Sequence, residues 1–290
     1  MAKKAHPQRI RLAELLVARG LCAGVEEARR VVWSGEVIVD GDMVDQPAAL
    51  VPDTAELRLR RRRRYATRGG EKLEPALAAF EVEVRGRCAL DVGAAGGGFT
   101  DCLLAHGASR VYATDVARGQ LAQRLRLDAR VIDLGGRDVM ALTPSDLVPP
   151  PSLAVVDVTF RSLSDMLPKV LSLLDEPREA VALVKPLHEA RLAGMGRAPD
   201  LQRAVFTWLL PRLHDSQVAV ADIIASAPPG PGSSLEFFLH IRAPGRAPGE
   251  LWGGVEAALL QGASALSRRA KPKRSGQKRR RTWRRFGQRK

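Results

Sequence analysis

Charged residues stand at the ends of three apolar segments that are predicted to be buried strands. Asp157 and Lys185 close two of these segments, and Glu236 opens the third. Parallel strands of an open α/β sheet share one ligand-binding edge at their carboxyl ends, and an antiparallel strand begins at that edge. Lys72, on a helix before the first strand, completes a Lys-Asp-Lys-Glu set that can orient a hydroxyl group and assist its deprotonation. The alternative is that each charge is only solvated at a strand end.

Residues 91–101 form a glycine-rich segment, DVGAAGGGFTD, that joins a predicted strand to a predicted helix. Such a turn lets the backbone approach a ligand and directs helix N–H groups at it. The spacing is not the G-x-G-x-x-G of dinucleotide-binding proteins, and Asp91 before the first glycine suits the cationic groups of S-adenosylmethionine. Asp115, at the tip of the next predicted strand, is expected to hold ribose hydroxyls. The alternative is a flexible structural loop.

The elements that must position these residues alternate along the chain from residue 88 onward. The pattern predicts a doubly wound, Rossmann-like α/β sheet of seven strands with amphipathic helices between most of them. A Pro- and Gly-rich return at residues 228–232 favours an antiparallel hairpin for the last two strands, as in methyltransferase sheets. The predicted strands are 88–93, 110–116, 129–133, 153–158, 180–186, 217–225 and 236–242.

A small unit at residues 9–57 precedes this sheet. Leucines at helical spacing, a second short helix and an alternating segment at residues 37–44 predict two helices followed by a β-hairpin. A basic junction follows at residues 58–66, with Arg58 and the run 60–64. This junction is either a solvated linker or a segment that binds phosphate groups. Phosphate contacts add affinity for nucleic acid but do not distinguish base sequences.

The charge of the chain is concentrated at its end. The net charge is +14, and residues 268–290 hold 13 Lys and Arg and no acid, so that residues 1–267 carry 14 − 13 = +1. Residues 244–290 are predicted to be a basic, disordered tail with one short helix candidate at 251–266. A tail of this kind indicates a polyanionic partner such as nucleic acid, with a merely solubilising role as the alternative.

The three cysteines have no metal-binding spacing and no disulfide framework, which favours a reducing compartment. The sequence shows no signal-peptide region and no apolar run long enough for a bilayer. A cytoplasmic, soluble protein is therefore expected.

The first unit resembles the αL RNA-binding module of a small-subunit ribosomal protein and of many RNA-modifying enzymes. The resemblance rests on matching residues at positions 11–12, 15–16, 19–20, 28, 35–41 and 47. The chain has Ala13 where the module usually carries an acid, Gly24-Val25 in place of a Ser-Arg pair, and Gln46 in place of a lysine. Several polar RNA contacts of the module are thus expected to be missing.

The chain as a whole resembles the TlyA (hemolysin-A-like) methyltransferases, which combine an αL module with an FtsJ-like domain. The motifs are residues 67–73 (TRGGEKL), 91–101, 157–163 (DVTFRSL) and 184–186 with Glu189. The resemblance implies transfer of a methyl group from S-adenosylmethionine to a ribose 2′-hydroxyl of ribosomal RNA, with cytidine as the nucleoside. It also implies an FtsJ-like domain at residues 67–243.

The resemblance assigns roles to individual residues. The implied catalytic residues are Lys72, Asp157, Lys185 and Glu236. The implied donor contacts are Asp91, Gly93, Gly97, Gly98, Phe99, Asp115 and Asp138. The expected RNA contacts are Arg11, Arg19, Arg61, Arg62, Arg63, Arg64 and Arg68.

Three questions stay open at the level of the sequence. Lys185 is either a true base, which would require its pKa to fall about 3 units from about 10.4, or a group that positions the hydroxyl. His188 stands where the family tends to have Phe, either as a substituted pocket residue or as a neutral loop histidine without a chemical role. A non-catalytic RNA-binding or ribosome-assembly factor with the same fold is the alternative function; membrane disruption has no spanning segment to support it.

Overall fold

The computed structural model describes residues 8–33, 35–59, 64–196, 200–227 and 234–270, with side chains as far as residue 264. The chain divides into two compact units, Met1–Arg64 and Tyr65–Lys290.

The first unit combines two helices with two small antiparallel sheets. Its elements are β1 (Arg9–Arg11), α1 (Leu12–Ala18), α2 (Val25–Trp33), β2 (Val37–Val39), β3 (Asp42–Met43), β4 (Leu50–Pro52) and β5 (Leu57–Leu59). Strand β1 pairs with β4, and β2 pairs with both β3 and β5. Apolar side chains at helical spacing, among them Leu12, Leu16 and Val32, are buried between these elements. The predicted two helices and β-hairpin are confirmed.

The boundary of this unit differs from the predicted one. The sequence predicts a linker from residue 58, but Arg58 lies in β5 opposite Ile38 and forms an ion pair with Glu56 (Nη2–Oε1, 2.5 Å). The alternating segment Leu57–Leu59 is paired because β2 offers it a free edge. Residues 60–63, which hold the predicted RNA contacts Arg61, Arg62 and Arg63, lie outside the described part of the chain.

The second unit is built on a seven-stranded sheet. Its strands are β6 (Cys88–Val92), β7 (Arg110–Asp115), β8 (Val131–Gly135), β9 (Leu153–Val156), β10 (Glu179–Val184), β11 (Val220–Ala225) and β12 (Phe237–Ile241). They are ordered β11-β12-β10-β9-β6-β7-β8. Strand β12 runs antiparallel to both neighbours, whereas the pairs from β10 to β8 are parallel. The predicted doubly wound sheet with a reversed last strand is confirmed.

Helices cover both faces of this sheet. They are α3 (Arg68–Ala79), α4 (Gly98–Ala105), α5 (Gln123–Arg126), α6 (Leu163–Ser172), α7 (Pro186–Leu192), α8 (Leu201–Asp215) and α9 (Pro248–Ala270), with short 3-10 turns at Val139–Ala141 and Pro144–Asp146. Alternate strand residues enter opposite cores, so that Phe237 packs with α6 and α8 while Phe238 packs with α3 and α4. The strands are nearly continuous apolar runs because each of their faces is buried.

The end of the chain differs from the predicted disorder of residues 244–290. Residues Pro248–Ala270 form the helix α9, which is longer than the candidate at 251–266. Its Leu251 and Val255 join the core of the sheet, and this burial stabilises the helix. Residues 271–290 lie outside the described part of the chain. No helix within the described ranges is both long enough and apolar enough to cross a bilayer.

Candidate active site

Lys72 and Glu236 form a buried ion pair, with 2.5 Å between Lys72 Nζ and Glu236 Oε2. Lys72 lies in the second turn of α3, whose N-terminus is capped by the Thr67 side chain. The antiparallel register pairs Phe237 with Val184, which brings Glu236 beside the carboxyl end of β10. Both side chains are less than 10% exposed, and a buried lysine of this kind requires its carboxylate partner.

Lys185 and Asp157 form a second ion pair at the same edge. Asp157 follows β9 and Lys185 follows β10, which are parallel neighbours. The backbone N–H of Asp157 donates to the carbonyl of Val92 (2.9 Å), so that the loop after β9 is fixed to the end of β6. The side chains of Lys185 and Asp157 are 17% and 24% exposed. They are therefore more accessible to a ligand than the first pair.

One residue of each ion pair, Lys185 or Glu236, lines a cavity of about 230 Å³. It is lined by Lys185, Pro186, Leu187, His188, Ser234, Leu235 and Glu236. Asp157, Lys185 and Glu236 all lie close enough to His188 to shift its pKa. The structure thus brings the four predicted catalytic residues into one neighbourhood. One cavity edge can receive a hydroxyl group between a fixed ammonium group and carboxylates.

The glycine-rich turn lies directly beside this neighbourhood. Gly93 has φ +85°, and a Cβ atom at this position would lie 2.2 Å from the carbonyl oxygen of Asp157. Gly97 has φ +86° and forms the N-cap of α4 in the left-handed conformation. A Cβ on Gly98 would lie 2.2 Å from Thr67 Oγ1. The chain therefore has no space for side chains at these three positions of the turn.

Asp91 is completely buried under this turn. Its Oδ2 accepts a hydrogen bond from Thr100 Oγ1 (2.6 Å), whereas its Oδ1 has no hydrogen-bond partner among the described residues. Burial raises the pKa of Asp91 to about 7, and the nearby Asp157 and Asp115 add to the increase while the Thr100 hydrogen bond opposes it. A buried carboxylate with one unsatisfied oxygen is suited to a cationic ligand group.

Asp115 connects the turn to the second strand. Its Oδ2 accepts from the backbone N–H of Ala95 (2.9 Å), and its Oδ1 accepts from that of Ala117 (2.8 Å). Asp115 lines a narrow cleft with Ala94 and Leu121, whose free volume is only about 10 Å³. This free volume is smaller than a nucleoside, so the cleft must widen before a nucleoside can enter it.

Asp133 also lines this cleft, and the sequence analysis did not single it out. Its Oδ1 accepts from the backbone N–H of Gly135 (2.9 Å). The signal was an acid in the third strand, on the segment that runs beside Asp115. Asp133 is an additional candidate for ligand contact in the cleft.

The side chains of two predicted donor contacts, Phe99 and Asp138, have partners within the protein. The side chain of Phe99 is 4% exposed and packs in the core against Phe238, with 6.1 Å between the ring centroids, so it supports the turn from below. Asp138 is absent from the residues that line the cleft. Its Oδ1 accepts from the backbone N–H of Met140 (2.9 Å), and its Oδ2 lies 3.6 Å from Arg161 Nη2. Asp138 therefore caps the following 3-10 turn.

The first unit has a concave surface that encloses a pocket of about 500 Å³. It is lined by Arg11, Ala13, Glu14, Val25, Arg29, Trp33, Gln46, Pro47 and Ala48. Three of these residues, Ala13, Val25 and Gln46, are the positions at which the chain departs from the αL pattern. Trp33 is 66% exposed there. The surface thus combines an exposed aromatic ring and two arginines with three of the positions that depart from the αL pattern.

The other predicted RNA contacts have different surroundings. Arg19 is tied within the first unit, because its Nη2 donates to the carbonyl oxygen of Asp53 (2.5 Å). Arg64 ends the first unit and Arg68 begins α3, and both are exposed. Arg19 therefore has a structural role in addition to any contact with RNA.

The family model for the FtsJ-like methyltransferases matches residues 65–243. This range contains both ion pairs and the glycine-rich turn. The chain belongs to this family. A relative named 16S/23S rRNA (cytidine-2′-O)-methyltransferase TlyA, from Mycobacterium tuberculosis, is 36% identical over 242 residues, which cover 81% of this chain and 90% of the relative. Hemolysin A of Brachyspira hyodysenteriae is 32% identical over 239 residues, covering 80% and 99%.

Solved structures are similar to this FtsJ-like protein over more of the chain than the family model matches. A protein described as a "putative hemolysin" from Streptococcus thermophilus superposes with a TM-score of 0.67 and 31% identity, over 92% of this chain and all of that one. A second, from Lactococcus lactis, gives a TM-score of 0.63 and 33% identity over 70% of this chain. The methyltransferase fold predicted from the sequence is confirmed.

Asp91→Asn should make the stability of this FtsJ-like methyltransferase less dependent on pH. The native pKa of Asp91, about 7, lies above its unfolded value of 3.8. The native state therefore binds more protons between these values, and wild-type stability falls as pH rises from about 4 to 7. At pH 8 the variant should be more stable than wild type by on the order of 2–4 kcal/mol, and the difference should vanish near pH 4.

Urea unfolding at pH 4.5 and at pH 8 measures this effect, with the exposed Asp215→Asn as the matched control. If the free energies of unfolding of wild type and D91N changed with pH in parallel, Asp91 could not be a buried carboxylate with a raised pKa.

Proposed function

We propose that this protein transfers the methyl group of S-adenosylmethionine to a ribose 2′-hydroxyl of ribosomal RNA, with cytidine as the target nucleoside. The pair of lysine–carboxylate contacts beside the glycine-rich turn carries the proposal, because it sets hydroxyl-orienting groups next to a donor cleft. The name of the Mycobacterium tuberculosis relative supports the substrate and the position of the methyl group.

The residues of the turn fit the donor. The unsatisfied Oδ1 of Asp91 suits a cationic group, and the absence of side chains at Gly93 and Gly97 lets the ligand approach the backbone. Asp115 holds the ribose hydroxyls of the donor with the lone pairs that its two backbone hydrogen bonds leave unused. The donor, when bound, supplies a methyl group activated by the positive charge on sulfur.

The ion pairs act on the acceptor. Asp157 fixes the ammonium group of Lys185, which then holds the 2′-hydroxyl in line with the methyl group. Glu236 also lines the cavity, and its ion pair with Lys72 compensates for the burial of both side chains. These groups place a weak nucleophile close to the methyl group and in line with it.

RNA binding is distributed over several parts of the chain. The concave surface of the first unit offers Arg11 and Trp33 to an RNA segment. Residues 8–59, however, hold six arginines, no lysine and nine acids, a net charge of 6 − 9 = −3. Phosphate attraction must therefore come mainly from the basic run 60–64 and from the tail after α9. These segments would hold ribosomal RNA in the cytoplasm while the second unit performs the chemistry.

Deletion of residues 271–290 should weaken RNA binding and flatten its dependence on salt. The deleted segment holds 11 Lys and Arg with Trp283 and Phe286 between them, and aromatic rings among cations stack on unpaired bases. For every phosphate group that the shortened chain no longer neutralises, the slope of log K against log salt becomes shallower by about 0.7 for a single strand. Filter binding at several salt concentrations measures the slope. An unchanged slope would exclude a role for the tail in RNA attachment.

Incubation with labelled S-adenosylmethionine and isolated bacterial ribosomal subunits tests the proposed function. Label should enter ribosomal RNA, and mass spectrometry of nuclease digests should detect a 2′-O-methylated cytidine. RNA binding without label transfer would instead favour a non-catalytic assembly factor.

A further inference from the structure

His188 lies in the first turn of α7, three residues after Lys185. Its backbone N–H donates to the carbonyl of Lys185 (2.9 Å), which fixes the start of the helix. The imidazole is partly buried and lines the 230 Å³ cavity that also contacts Lys185 and Glu236. No group in the described part of the chain hydrogen-bonds its ring nitrogens. A partly buried imidazole without a protein partner is thus available to a ligand in this cavity.

The electrostatic surroundings keep this imidazole neutral. Burial lowers the pKa of His188 first of all, and the positive charges of Lys185 and Arg191 lower it further. Glu236 and Asp157, from the segments before β12 and after β9, oppose the decrease. A neutral imidazole has one hydrogen-bond donor and one acceptor, on opposite sides of the ring. The cavity therefore presents a group whose exposed nitrogen can donate to, or accept from, one polar atom on the edge of a ligand.

The walls and the size of the cavity suit a flat heterocycle. Pro186, Leu187 and Leu235 provide apolar surface, and the volume is below the roughly 300–1,000 Å³ of pockets for drug-sized ligands. A nucleobase is attached to the ribose carbon next to the one that carries the 2′-hydroxyl. When that hydroxyl lies at Lys185, the base must therefore lie within a few ångströms of it. The cavity occupies this place.

We propose that this cavity receives the base of the acceptor nucleotide and that His188 hydrogen-bonds the edge of that base, which makes it a specificity-determining residue. The inference rests on the proposed function, since it concerns the nucleotide that is methylated. Enzymes that modify a nucleotide within a structured nucleic acid turn its base out of the stack and recognise it in such a pocket.

The test compares H188F with H188N on RNA substrates that carry each of the four bases at the methylated position. Phenylalanine keeps a planar ring without a hydrogen-bonding nitrogen, whereas the asparagine amide keeps both an acceptor oxygen and N–H donors. H188F should reduce the ratio of kcat/KM between the preferred base and the others by about tenfold, because it removes one specific hydrogen-bonding group that faces the base. H188N should retain most of this ratio. His214→Phe, an exposed position at the end of α8, is the matched control.

Donor affinity, measured by titration with S-adenosylhomocysteine, should be the same in all variants. Unaltered base ratios in H188F would overturn the role of His188 while leaving the proposed function intact. If the wild-type protein methylates none of the four RNAs, the proposed function itself is contradicted, and with it the inference about His188.

Discussion

Lys185→Met is expected to lower the rate of methyl transfer by about a hundredfold or more, while donor affinity stays unchanged. Methionine preserves most of the length of the side chain and removes the ammonium group that holds the hydroxyl. Groups that orient or accept a proton in the transition state contribute about 10²–10⁴ in rate. The ion pair with Asp157 is removed as well, so that the remaining carboxylate repels electron density on the acceptor oxygen.

Single-turnover rates at saturating donor measure this decrease, and titration with S-adenosylhomocysteine measures the donor site separately. Lys169→Met, in the last turn of α6, removes a lysine of the same unit outside the cavity and should leave both values unchanged. A K185M rate within a few-fold of wild type would remove Lys185 from the chemistry.

Gly93→Ala is expected to reduce both stability and donor binding. The residue has φ +85°, which is strained for alanine, and the new Cβ would lie 2.2 Å from the Asp157 carbonyl oxygen. Left-handed strain and overpacking together cost roughly 2–5 kcal/mol. Relief of the collision must move the loop after β9, and this displaces Asp157 from Lys185. Donor affinity should fall at least about tenfold, and methyl transfer should fall further.

Gly86→Ala separates the two causes. Gly86 has a similar φ, +75°, but no atom lies within 4 Å of its added Cβ. This variant should lose only about 1 kcal/mol to backbone strain and should bind the donor normally. Urea unfolding and calorimetric titration measure both quantities. Equal effects of G93A and G86A would show that the contact with Asp157 has no influence on the site.

The positions of the predicted catalytic residues could be located from the sequence, because apolar patterns reveal where strands end. Asp157, Lys185 and Glu236 each follow or precede an apolar segment, and the topology of a parallel sheet with one reversed strand gathers such positions at one edge. The position of Lys72 was harder to predict, since its place on a helix does not by itself reveal which strand end the side chain faces. Its pairing with Glu236 spans 164 residues and depends on how α3 packs on the sheet.

Features that depend on packing were not predictable in the same way. The motif suggests Phe99 as a ligand contact, but its side chain enters the core because α4 must bury its apolar face. Helix α9 extends beyond the helix candidate at 251–266, and the sheet buries its Leu251 and Val255. The cavity at His188 lies between α7 and the residues just before β12. These segments are distant in sequence, so no local sequence pattern predicts the cavity.

The insertion of β12 between β10 and β11 has a consequence for synthesis of the chain. Lys72 leaves the ribosome long before Glu236, and until β12 is in place its ammonium group has no carboxylate partner in the interior. A nascent or prematurely terminated chain that stops before residue 236 therefore lacks both the antiparallel strand β12 and the carboxylate partner of Lys72. Such fragments cannot assemble a working centre, so that activity is withheld until translation of this unit is essentially finished.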